Sequence, residues 1–285
     1  MVQPLTWADA LVAKAERPAL LPIAGGTDVM VDINFDRCRP EGLLDLTRVE
    51  EITSWSVDDG VVRLGAGVTY TQVESDLADL LPGLAMASRT VGSPQIRNRG
   101  TVAGNLGSAS PAGDAHPPLL AAGATVEATS VRGSRLIDAA DFFVGVKRHA
   151  LDPDELIRAV HVPVTGGPQQ FAKIGTRNAM VIAVASFAVA LHPGSRRVGT
   201  GIGSAAPTPR SAPTAEEHLS GELDWDGRAP VDASVVRRFG ELVAQAADPI
   251  DDVRGSAAYR RHALAVLAAR TATWAWDEYR TEEAS

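Results

Sequence analysis

Apolar positions along the chain follow two different rhythms. In the first half they come as short runs cut by glycine turns. Near the end they recur every three or four residues over long stretches. The first rhythm predicts short buried strands and the second amphipathic helices. Thr6 opens "TWAD", a capping-box-like start for a helix reaching about Glu16. "LLPIA" (20–24) reads as a buried strand, after which "GGTD" turns into the apolar segment "VMVDIN". "GLLDL" is another short strand. "ITSWSV" and "VVRLGAG", joined by "DDG", predict a hairpin on an Asp-Gly turn. "TYTQVESDLADLLPGL" has helical spacing at Val73, Leu77 and Leu80 or Leu81. A second hairpin is predicted around Arg132-Gly133, then a strand, "ELIRAVHVP", ending at Pro163.

"VTGGPQQ" is the clearest linker, and the rhythm changes after it. "QQFAKIGT", "ASFAVALHP" and "RVGTGIGSAAP" predict a small antiparallel sheet. Three helices follow. In the last, Ala263, Val266, Leu267 and Arg270 stand at 3–4 spacing. The fold class is therefore α+β, in at least two parts.

One segment fits neither rhythm. Between Gly100 and Gly113, ten of fourteen residues are Gly, Ala, Ser or Thr, and none is charged. With its free amides and the hydroxyls of Thr101, Ser108 and Ser110, it reads as a long, extended, polar-lined surface suited to a large ligand. Tight packing of one backbone on another is the other explanation. A second glycine loop, "AGGTD" (24–28), lies between a buried strand and a helix start. Successive backbone amides there can form a concavity for an anion, and glycines let the backbone approach a phosphate closely. A simple turn is the alternative. Neither loop has the G-x-G-x-x-G of a dinucleotide fold. "LGAGVTY" lacks the third glycine, and there is no P-loop.

Composition narrows the chemistry. The net charge of −8 gives no drive toward nucleic acid or anionic membranes. No apolar run is long enough to span a bilayer. "MVQPLTWADALVAKAERP" lacks a basic region followed by an apolar one, so no signal peptide is expected and a cytoplasmic protein is. The single cysteine, Cys38, can form neither an internal disulfide nor an iron–sulfur cluster. The six histidines are scattered without a tight ligand pair, so no metal site is expected. Demanding chemistry would need an organic cofactor.

The order of the motifs supplies a further reading. "AGGTD", then "SPQIRNRGTVAGNLGSASPAGDAHPPLLAAGA", then "FFVGVKRHALDPDELI", resembles the FAD-binding medium subunit of the molybdenum hydroxylases. That family includes the carbon monoxide dehydrogenase medium subunit and the xanthine dehydrogenase flavin domain. "FAKIGTRNAMVIAVASFAVAL" and "ADPIDDVRGSAAYRRHALAVLAAR" resemble its flavoprotein C-terminal domain. The resemblance implies a two-part FAD-binding domain of the PCMH (vanillyl-alcohol-oxidase-like) type, at 1–55 and 56–165. A C-terminal domain at 170–285 follows.

The resemblance also implies roles. Ala24, Gly25, Gly26, Thr27 and Asp28 would hold the FAD pyrophosphate through backbone amides. Thr101, Val102, Ala103, Gly104 and Asn105 would approach from the other side, with Thr101 donating its hydroxyl. Asp114 would contact the ribose region, or else cap a loop. Ile157 would pack near the isoalloxazine, or else serve the core. Lys173 would lie near the flavin ring, or else be a solvated lysine at a strand end. Arg97 and Arg99 would position the loop or face a partner. Val146 departs from the pattern, since many relatives carry tyrosine there.

The implied function is electron transfer. A small subunit with [2Fe–2S] clusters and a large subunit with a molybdenum cofactor would act with this chain in a dimer of heterotrimers. Electrons would pass through non-covalent FAD here to NAD⁺, oxygen or a quinone, with no catalytic acid or base on this chain. The rival is a stand-alone FAD oxidase or dehydrogenase, which would need an acid–base residue over the flavin.

Overall fold

The computed structural model describes residues 1–281. Helix α1 (Trp7–Glu16) starts where the Thr6 hydroxyl accepts from the Asp9 N–H at 3.1 Å. Its buried face is Trp7, Ala10 and Lys14, a helical spacing. Strand β1 (Leu21–Ile23) pairs in parallel with β2 (Leu43–Asp45), and α2 (Val29–Asn34) lies between them in sequence.

A five-stranded antiparallel sheet follows, in the order β3 (Trp55–Asp58), β4 (Val61–Gly65), β9 (Leu156–Pro163), β5 (Thr125–Ser130), β6 (Gly133–Asp138). Strands β3 (Trp55–Asp58) and β4 (Val61–Gly65) are joined by Asp59 and Gly60, both left-handed at φ 45° and 71°. That pair of angles suits a tight hairpin, so the Asp-Gly expectation holds. Between β4 and the next strand come five helices: α3 (Tyr70–Asp76), α4 (Pro82–Arg89), α5 (Pro94–Arg97), α6 (Val102–Ser108) and α7 (His116–Ala122). The stretch predicted as helical from 69 to 84 is thus two helices. Pro82 cannot donate a hydrogen bond, so it begins α4. Strands β5 (Thr125–Ser130) and β6 (Gly133–Asp138), helix α8 (Ala139–Phe142), the hairpin β7 (Phe143–Gly145) with β8 (Arg148–His149), and the central β9 (Leu156–Pro163) complete this half. One apolar cluster runs through it from Trp7 to Val162.

The remaining sheet is antiparallel, β10 (Gln169–Ile174), β11 (Ala185–His192) and β12 (Arg197–Gly203), with helices α9 (Pro213–Glu222), α10 (Ala233–Ala246) and α11 (Ala257–Thr281). Strand β11 is buried on both faces, because α11 packs on one side and α4 and α7 on the other. That explains its continuous apolar run. On α11 the buried stripe is Ala263, Leu264, Leu267, Ala268, Thr271, Ala272, Ala275 and Trp276. It is rotated slightly from the expected face, and Arg270 is exposed. The Trp276 indole is buried and donates to the Ala229 carbonyl at 2.9 Å, so its one polar atom is satisfied.

The two halves meet at a glycine seam. A Cβ on Gly201 would stand 2.0 Å from the Pro117 carbonyl oxygen, and one on Gly199 2.1 Å from that of Ala121. Helix α7 therefore rests its backbone directly on β12. No helix among the described residues is long and apolar enough to cross a membrane.

Candidate functional site

A cleft of about 730 Å³ runs between the end of β1, helix α6, the β7–β8 hairpin and the loop after β10. Both glycine loops line it. Ala24–Asp28 leaves β1 and turns through Gly26, left-handed at φ 74°, into α2. The amides of Gly25, Gly26, Thr27 and Asp28 have no hydrogen-bond partner among the described residues. A Cβ on Gly25 would lie 2.0 Å from the Arg99 carbonyl oxygen, so the two loops touch backbone to backbone.

The bare segment is not extended. From Val102 to Ser108 it forms α6, capped by the Thr101 hydroxyl, which accepts from the Gly104 N–H at 2.9 Å. Val102 and Leu106 face the core, while Ala103, Gly104, Gly107 and Ser108 face the cleft. The small residues thus leave one helix face open. At Gly107 the nearest atom to an added Cβ is Ile157 Cδ1, at 3.9 Å. Glycines suppress the apolar periodicity that marks other helices, which is why the sequence suggested a long, extended surface and not a helix.

Behind α6, buried polar groups fix the wall. His116 Nε2 lies 3.2 Å from the Asn105 carbonyl oxygen. A carbonyl can only accept, so the proton sits on Nε2. Burial lowers the His116 pKa to about 4, and the ring is neutral. It stacks tilted on Phe143 at 4.5 Å. Asp114 Oδ2 accepts from Lys173 Nζ at 2.6 Å, and the same ammonium donates to the carbonyls of Thr90 (2.9 Å) and Val181 (3.2 Å). Burial raises the Asp114 pKa, while Lys173 pulls it down.

The cleft mouth carries opposed charges. The Asp28 carboxyl is raised chiefly by burial, with the Ser108 hydroxyl opposing. Asp32 on α2 accepts from Lys147 Nζ, at the hairpin tip, at 2.7 Å. Arg97 braces the opposite side. It pairs with Glu74 at 2.7 Å and donates to the Val91 and Gly92 carbonyls at 3.3 Å.

Of the residues expected from sequence, Ala24, Gly25, Gly26, Thr27, Asp28, Thr101, Ala103, Gly104, Asn105, Asp114 and Ile157 line this one cleft. Val102 points into the core instead. Lys173 stands behind Asp114 and does not line the cleft; it is no solvated strand end, since its side chain is 9% exposed. Val146 is exposed at the hairpin tip. Tyr70, Lys147, His149 and Met180–Ile182 also line the cleft, and the sequence did not single them out. The local signal beside Tyr70 is the capping box of α3, in which the Thr69 hydroxyl accepts from the Gln72 N–H.

The site offers donors for an anion at the loop amides and acceptors for hydroxyl or N–H groups farther along, which fits a large ligand with an anionic middle. Four loop amides are free, and the cleft-lining Tyr70 hydroxyl, Asn105 Oδ1 and Asp114 Oδ1 are buried without a partner among the described residues. Residues 1–165 match the family described as the FAD binding domain in molybdopterin dehydrogenase. The chain belongs to this family. Residues 170–275 of this flavoprotein match the CO dehydrogenase flavoprotein C-terminal domain. The flavoprotein is 36% identical to the nicotinate dehydrogenase FAD-subunit of Eubacterium barkeri over 169 residues, 57% of each chain. It is 32% identical to the nicotine 6-hydroxylase medium subunit of Paenarthrobacter nicotinovorans over 254 residues, 87% of each chain. The reconstituted CO dehydrogenase from Oligotropha carboxidovorans superposes with a TM-score of 0.88 at 28% identity, over 97% of this chain and 96% of that one.

Proposed function

We propose that this chain is the FAD-carrying electron-transfer subunit of a molybdopterin-dependent dehydrogenase. The observation that carries the reading is the meeting of the free amides of Gly25–Asp28 with the small-residue face of α6 across one cleft. The family match over the same residues supports it. FAD, when bound, supplies reversible two-electron chemistry.

The chain's own residues would bind and orient that group. Amides of Gly25, Gly26, Thr27 and Asp28 would hold the pyrophosphate. Thr101, Ala103, Gly104 and Asn105 would meet it from α6, where the Thr101 cap leaves the hydroxyl proton free to donate. Asp114 would take the ribose region, held in place by Lys173. Ile157 would pack against the ring system. No side chain needs to move a proton for this step. [2Fe–2S] clusters on a small partner subunit and the molybdenum cofactor on a large one would complete the path, in a dimer of heterotrimers in the cytoplasm. NAD⁺, oxygen or a quinone would accept the electrons.

Acid release of the flavin from the purified protein tests the core of this reading. The expected product is free FAD, one per chain. FMN, or flavin that stays on the polypeptide, would exclude a dinucleotide held by the two loops. Affinity purification of the tagged chain from its native cells should bring down an iron-rich small chain and a molybdenum-containing large one. A flavoprotein that purifies alone and oxidises an organic substrate would instead be a stand-alone enzyme.

A further inference from the structure

Lys147 occupies a constrained place. Its backbone is left-handed, at φ 52°, at the tip of the β7–β8 hairpin. The tight turn between Gly145 and Arg148 requires that angle, as the one at Asp59 does. Its N–H donates to the Ala109 carbonyl at 3.1 Å, and Ala109, at φ 45°, is the left-handed end of α6. Two unusual backbone positions thus fix the lysine beside the cleft. Its side chain is 57% exposed, so what holds its ammonium among the described residues is the pairing with Asp32 and not enclosure by the fold.

The surrounding charges give that arrangement a use. Among the described residues lining the cleft, the lysines and arginines are Lys14 and Lys147. Lys14 is buried and already donates to the carbonyls of Pro18 (2.7 Å) and Leu20 (2.8 Å). Lys147 donates to Asp32, which also lies 3.9 Å from the Arg37 guanidinium. Asp32 therefore keeps a cation nearby if Lys147 leaves. Asp28, the last residue of the amide loop, feels the charges of both Lys147 and Asp32. An anion seated on the amides of Gly25–Asp28 would face two carboxylates with one available ammonium.

We infer that Lys147 is a phosphate-binding residue of the cofactor site, parked on Asp32 and transferred to a phosphate of the bound dinucleotide. The inference rests on the flavoprotein reading above. It adds a cation that the glycine loops themselves do not supply. An ammonium on a phosphate forms a charge-assisted hydrogen bond, stronger than a neutral one. It also makes binding depend on ionic strength.

Titration of the deflavinated full chain with FAD, followed by flavin fluorescence at low and high salt, tests this. Lys147→Met should weaken FAD binding by roughly tenfold, the scale of one charge-assisted hydrogen bond. It should also flatten the salt dependence. Lys147→Arg should keep most of the affinity. Asp32→Asn should bind FAD as tightly as wild type or more tightly, because the lysine is released. Circular dichroism of each variant checks the fold. Equal losses in Lys147→Met and Asp32→Asn would make the pair a structural clasp and overturn the assignment. So would a Lys147→Met chain with wild-type affinity. A wild-type chain that binds no FAD would overturn the flavoprotein reading itself.

Discussion

Lys173 and Asp114 are 59 residues apart in sequence, yet their charged atoms stand 2.6 Å apart, each side chain about nine-tenths buried. The pair ties β10 to the segment between α6 and α7. Through Val181 it also holds the loop after β10 against the cleft. Removing one member of a buried pair strands the other, at a cost of about 3–5 kcal/mol. Lys173→Met should lose stability on that scale and release FAD more easily. The double variant Lys173→Met/Asp114→Asn should recover part of the stability, because no buried charge remains. Urea unfolding of the three proteins measures this. Additive losses would place the two residues in independent roles.

Gly107 and Gly25 separate cofactor space from folding space. Gly107→Val should fold normally, since an added Cβ meets its nearest neighbour at an ordinary 3.9 Å. The branched side chain would still fill the face of α6 that borders the cleft, and flavin content should fall sharply. Gly25→Ala should fail earlier, because its Cβ would strike the Arg99 carbonyl. We expect it to be poorly folded with or without FAD. Thermal melts alongside flavin-to-protein absorbance ratios distinguish the two outcomes.

His116 should make the protein acid-sensitive. An unfolded imidazole titrates near 6.5, while burial holds His116 at about 4. Between those values the unfolded chain binds the extra proton, so stability is full above pH 6.5 and falls as pH drops toward 4. The largest loss from this group is about 3 kcal/mol. His116→Gln can still donate to the Asn105 carbonyl but does not titrate. Its urea midpoint should change less than that of wild type between pH 7.5 and pH 5. Parallel curves would assign the acid sensitivity to other groups.

The isolated chain should be incomplete as an enzyme. Loaded with FAD, it should be reduced by dithionite and reoxidised by an acceptor. It should leave aldehydes, aromatic heterocycles and carbon monoxide untouched until its partners are supplied. Anaerobic absorbance spectra before and after each candidate substrate check this. Bleaching of the metal-free chain alone by such a substrate would assign the oxidation to this polypeptide.

The two glycine loops were legible in the sequence because a bare stretch in a chain of ordinary composition is conspicuous. The Asp-Gly hairpin and the antiparallel C-terminal sheet were legible through turn chemistry and continuous apolar runs. Helix α6 was not, since Gly104 and Gly107 erase the periodicity that reveals a helix. The break before Pro82 was hidden by leucines that keep helical spacing across it. Pairings such as Lys147 with Asp32, 115 residues apart, leave no local trace at all. Nor does the tautomer of His116, which is set by a carbonyl eleven residues away.

The glycine seam between α7 and β12 has a consequence for how this protein can vary. Where a carbonyl lies about 2 Å from a missing Cβ, no other residue can be substituted without lifting the helix. Lifting α7 would drag His116 and the end of α6 with it. The C-terminal half is therefore a fitted foundation under the cofactor wall, not an interchangeable module. Grafting the C-terminal half of a relative onto this N-terminal half should succeed only if the donor brings glycines at the positions of Gly199 and Gly201.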